Sequence, residues 1–203
     1  MSTSRLWTLR CGVGLVGLLV VSACVGPEKG DAELTIDKAG GYTFTYHGGM
    51  AYLIGLAAKA SGKPLRPKDV QGVGAALQSL SKDREFLSVT PAGFSRVNVD
   101  YKAVRKPGQS FAFIGDAKFI TVSSDAKTHR LVIRSAAITP KNAAQLTRIG
   151  YRPDVALTVK SDLPVIASNG AVQRAMLFGH DAYRWQINLT PRPAVDMTVR
   201  LPG

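Results

Sequence analysis

From Asp31 onward, apolar positions mostly alternate with polar ones. Leu34 and Ile36 alternate with polar neighbours, Lys38-Ala39-Gly40-Gly41 supplies a turn, and Tyr42, Phe44 and Tyr46 alternate with Thr43, Thr45 and His47. That period of two predicts a β-hairpin with one buried face, which leaves His47 on the other face beside Gly48 and Gly49. The period then lengthens. Leu53, Ile54, Ala57 and Ala60 predict a helix over 50–61, stopped by Gly62 and Pro64. A second helix opens near Pro67 with the stripe Val70, Val73, Leu77 and Leu80, and the two read as an αα-hairpin covering one sheet face.

Beyond Lys82 the alternation returns. Strands are expected at 86–90, 94–103, 110–114, 119–123, 130–138, 155–160, 165–168, 183–189 and 195–201, with turns at Pro91-Ala92-Gly93, Asp125 to Thr128, Asn169-Gly170 and Pro191-Arg192-Pro193. Thr139-Pro140 is a helix cap followed by a first-turn proline, so a short helix should end before Gly150. The expected class is α+β: a mostly antiparallel sheet with an αα-hairpin and one further short helix packed on it.

The first 30 residues follow neither period. Met1 to Arg10 carries Arg5 and Arg10 and no acid, 11–23 is apolar and small, and a small-residue boundary follows. This is the arrangement of a secretory signal peptide, and thirteen residues of helix reach only about 20 Å, short of a bilayer core. The boundary Val21-Ser22-Ala23-Cys24 resembles the lipobox of bacterial lipoproteins. The resemblance implies cleavage between Ala23 and Cys24, a diacylglycerol thioether on Cys24, and a membrane anchor of two or three acyl chains (palmitate-type modification). Val25, which is not Asp, extends it to the outer membrane facing the periplasm. The division is then 1–23 signal peptide, 24–30 lipidated tether and 31–203 a single α+β domain. Cys11 leaves with the signal peptide, so an exported domain would fold without disulfides.

A second, shorter likeness lies near the C-terminus. Asp162-Leu163-Pro164-Val165-Ile166-Ala167-Ser168-Asn169-Gly170, with Tyr183-Arg184-Trp185-Gln186-Ile187, resembles the ending of envelope lipoprotein domains of the LppM type. There a strand reaches an Asn-centred turn and a Trp-bearing strand returns. It supports the architecture and transfers no function.

Charge adds one feature. The 203 residues carry a formal +12. Residues 101–203 hold fifteen basic against six acidic side chains, whereas 24–100 hold nine against eight. Within that half Arg130, Arg134, Lys160, Arg184 and Arg200 fall at out-facing positions beside apolar ones, and are expected to form one cationic sheet face. For an exported lipoprotein the fitting partners are anionic lipid or an acidic envelope protein, and not nucleic acid.

Candidate chemistry is sparse. His47, His129 and His180 stand apart and the acids are scattered, so no metal and no cofactor is expected. There is no G-x-S-x-G elbow, P-loop or dinucleotide fingerprint. No catalytic residue is assigned. His47-Gly48-Gly49 resembles an oxyanion loop and His180-Asp181 supplies two triad residue types, which leaves an envelope hydrolase as one alternative. A carrier of an apolar ligand, held between the helix pair and the sheet, is the other. The preferred expectation is a non-catalytic binding or assembly module.

Overall fold

The computed structural model describes residues 25–114, 118–174, 181–189 and 194–202. Its strands form two sheets. The first has seven: β1 (Val25–Ile36), β2 (Tyr42–Tyr52), β3 (Phe86–Pro91), β4 (Arg96–Arg105), β8 (Asp154–Ser161), β10 (Ala171–Gln173) and β11 (Ala182–Asn188), in the order β10-β11-β8-β1-β2-β4-β3. The second has five: β5 (Phe111–Phe113), β6 (Ile120–Asp125), β7 (Arg130–Ser135), β9 (Val165–Ser168) and β12 (Asp196–Arg200), in the order β5-β6-β7-β12-β9. The α+β class holds, with two differences from expectation. There are two sheets rather than one, and the larger is mixed, because β1 and β8 run parallel with Lys29 opposite Asp154 and Ile36 opposite Ser161.

The sheets meet through their apolar faces. The Phe44 ring centroid lies 5.1 Å from that of Phe111 and 5.0 Å from that of Phe113, and Tyr46 stands 5.1 Å from Phe113. Leu34, Ile36, Leu157 and Val159 from the larger sheet join Ile120, Val122, Leu131, Ile133, Met197 and Val199 from the smaller. These are every second residue of their strands, so the period of two built the core directly. The opposite faces carry polar side chains together with a few exposed apolar ones, among them Val104, Ile166 and Val172.

Three helices complete the fold: α1 (Leu53–Ala60), α2 (Pro67–Lys82) and α3 (Pro140–Arg148). The cap of α3 is the expected one, with the Thr139 side chain accepting the Asn142 N–H at 3.3 Å. Met50, Ala51 and Tyr52 belong to β2 instead of α1, because their backbones pair with Pro27, Gly26 and Val25. The first two helices also serve different cores. α2 lays Val73, Ala76, Leu77 and Leu80 on the inter-sheet core, whereas Leu56 of α1 packs with Ala51 and Tyr151, flanked by Leu146 and Ile149.

The tether expected at 24–30 is corrected from Val25 onward. Val25, Gly26 and Pro27 are buried and paired in β1. Tyr151 holds this segment, donating its hydroxyl to the Pro27 carbonyl at 2.6 Å while its ring occupies the space a side chain at Gly26 would need. Pro27 lacks an N–H, and the ladder shifts register between Pro27 and Gly30. Ala23, Cys24 and the signal segment lie outside the described residues.

Candidate functional site: the outward sheet faces

The bulge in β1 shapes the surroundings of His47. A Cβ at Gly48 would lie 2.2 Å from the Lys29 carbonyl oxygen, and one at Gly30 would lie 2.4 Å from that of His47, so both positions require glycine. Tyr46 reaches under the bulge and donates its hydroxyl to Gly49 O at 2.6 Å; burial pushes that phenol well above its usual pKa. Gly48 therefore serves a close backbone approach to Lys29 and Gly30.

His47 stands on the outer face of the larger sheet, opposite Asp100 of β4. Its Nδ1 contacts Asp100 Oδ1, and Ser88 donates its hydroxyl to Asp100 Oδ2 at 2.6 Å. The hydrogen bond from Ser88, then that from His47, holds the Asp100 carboxyl below its ordinary pKa. The carboxylate is thus the centre of the trio. A serine nucleophile needs its hydroxyl on the histidine, and Ser88 has turned to the aspartate instead. What this group can do is accept or pass a proton at a solvent-exposed imidazole. His180 lies outside the described residues. Among the described residues no three His, Cys, Asp or Glu side chains converge as a metal site would require.

The five expected anion-binding residues divide between the two sheets. Lys160 and Arg184 are exposed on the larger sheet, where Lys160 Nζ sits 2.8 Å from Glu33. Arg130, Arg134 and Arg200 are exposed on the smaller one. Strand alternation identified the outward positions correctly, but could not tell which sheet each strand would join. On the smaller sheet the register puts Arg130 directly opposite Arg200 and Arg134 opposite Asp196, the latter pair at 3.6 Å. Asp125 flanks Arg130 on the other side but is committed to its turn, accepting Thr128 Oγ1 at 2.7 Å and the Lys127 N–H at 2.9 Å. Like charges directly opposite each other on a sheet destabilise it, and the Asp125 carboxylate, held low by Thr128 and in part by Arg130, offsets only one side of the Arg130/Arg200 pair.

The residues of the C-terminal likeness do meet. Asn169 Oδ1 accepts from Trp185 Nε1 at 2.8 Å and from the Asp196 N–H at 3.1 Å, and Asn169 Nδ2 donates to Ala194 O at 2.7 Å. Asn169-Gly170 is the point where the chain leaves the small sheet after β9 and enters the large one at β10. One amide side chain ties the two sheets together there, a role its place in an Asn-Gly pair did not disclose.

No family model and no curated protein matches the chain. Among solved structures it is similar to the folded domain of the LppM protein of Mycobacterium tuberculosis, at 14% identity and a TM-score of 0.41, over 87% of this chain and 91% of that one. It is also similar to native yeast LTA4 hydrolase, at 10% identity and a TM-score of 0.30, over 89% of this chain and 30% of that one.

Proposed function

We propose that this chain is a cell-envelope lipoprotein, anchored through Cys24 in the outer membrane and facing the periplasm. It works as a non-catalytic binding or assembly module for an anionic envelope component. The observation that carries the reading is Val21-Ser22-Ala23-Cys24 closing the apolar stretch 11–23. On the binding side, the register sets Arg130 opposite Arg200, two exposed arginines whose guanidinium groups each suit carboxylate or phosphate.

Metabolic acyl labelling tests the anchor: wild type takes up label and fractionates with membranes in high salt, and Cys24→Ala does neither. Anion capture tests the module. Arg130→Ser and Arg200→Ser should each weaken retention on an acidic-peptide matrix at low salt, whereas Lys102→Ser on the other sheet leaves it unchanged. Label entering the Cys24→Ala protein, or retention indifferent to both arginines, overturns the corresponding half.

A further inference from the structure

The proposed acyl carrier, Cys24, directly precedes Val25 of β1. Val25 is buried and paired with Tyr52, and the Tyr52 N–H donates to Ser95 O at 2.8 Å. Consecutive Cα atoms are about 3.8 Å apart, so a lipid on Cys24 holds this end of the sandwich against the bilayer with no slack. The same end carries an aromatic and cations. Phe94, next to Ser95, is 49% exposed; its ring edge lies over Gly55 of α1, and Lys59 Nζ sits 5.6 Å from its centroid. Lys63 follows in the turn after α1, exposed. The one carboxylate described in β1 at this level, Glu28, is taken up by two hydrogen bonds from Arg96, at 2.6 and 2.8 Å. An aromatic ring flanked by lysines is the composition that settles at headgroup depth.

We infer that the β1-entry end is itself a membrane-seating surface, with Phe94 at the lipid headgroups and Lys59 and Lys63 on anionic lipid phosphates. This rests on the anchor proposed above. The opposite end then points away from the membrane. Leu201 packs on Gly40 in the β1–β2 turn, which puts Arg200 and its neighbour Arg130 toward that far end. A twelve-residue strand at about 3.3 Å per residue places them some 40 Å from the anchored end, several Debye lengths from the bilayer.

The acylated protein in vesicles containing phosphatidylglycerol provides the test. With Cys24 acylated the mature chain has no other thiol, so single cysteines at exposed Ala92 (the β3–β4 turn beside Phe94) and exposed Ala39 (the β1–β2 turn) take an environment-sensitive dye. Position 92 should shift to the blue and be quenched by lipid-borne nitroxide, and position 39 should do neither. Lys59→Glu with Lys63→Glu should cut quenching at position 92 about threefold on anionic vesicles and leave it unchanged on neutral ones. Mass spectrometry of the same sample separates the two readings. A protein without acyl mass on Cys24 overturns the anchor and this seating with it. An acylated protein quenched equally at both positions, or at neither, overturns the seating alone.

Discussion

Asn169 shows how much one side chain can hold. Its three hydrogen bonds join β9, β11 and the approach to β12, and a Cβ at Gly170 would fall 2.5 Å from the Trp185 ring. Asn169→Ala should cost about 2–3 kcal/mol, since it strands the Trp185 indole and two backbone groups together. Asn169→Asp keeps the acceptor and should cost about 1 kcal/mol. Urea titration followed by Trp185 fluorescence reads both, because Trp7 departs with the proposed signal peptide. Glu85 makes a second residue-scale case. Tyr101 donates its hydroxyl to one Glu85 oxygen, and Arg105 bonds the carboxylate with both terminal nitrogens. Burial works to raise the Glu85 pKa, but the hydrogen bonds from Arg105 and Tyr101 outweigh it and hold it below 4.5. A depressed pKa stabilises the folded state fully above that value, and the contribution is lost as pH falls through the lower, folded one. Glu85→Gln should therefore be about 2 kcal/mol less stable than wild type near pH 7. Denaturation midpoints of the two proteins should converge as the pH falls below 4.5 and the wild-type carboxylate is protonated.

Elements were legible wherever their own residues carried the signal. The β1–β2 hairpin, the Thr139 cap, the Pro67 start and the outward positions of all five cations followed from period and punctuation. What stayed hidden depends on distant partners. The parallel match of β1 with β8 joins residues more than 120 apart, and nothing local to either strand specifies it. Val25 to Gly30 has no alternation, and its Gly26 and Pro27 are covered by Tyr151, a side chain from beyond α3. The trio around Asp100 likewise assembles from three strands, so His47 alone gave no hint that its partner was an aspartate already shared with Ser88. The arginine pair yields a prediction at this scale. Relieving a like-charge cross-strand pair should stabilise the sheet, so Arg200→Ser should raise the thermal midpoint slightly, by about 0.5 kcal/mol equivalent, while anion retention falls. A residue that costs stability and supports binding behaves as a site. A loss in both measurements would mark Arg200 as structural.

For the whole molecule, the decisive feature is the proposed anchor directly before the buried Val25. If the acylated end is seated, the Arg130/Arg200 pair cannot sense its own membrane, and the fitting partner is one that approaches from the aqueous side with an acidic surface. Energy transfer from a dye at Ala39 to acceptors in the bilayer should report one narrow distance near 40 Å. Inserting about ten Gly/Ser residues between Cys24 and Val25 should broaden it, since such a linker spans roughly 15–20 Å as a random coil. An unchanged distribution would mean that the domain already swings freely. Under the proposed anchor, a domain without a leash would work as a stud of fixed height: it would drift laterally in the plane of the bilayer, upright, and present its arginines at one constant level. Whatever it captured would be held at a set distance from the lipid, and the length of β1 would be the gauge of that gap.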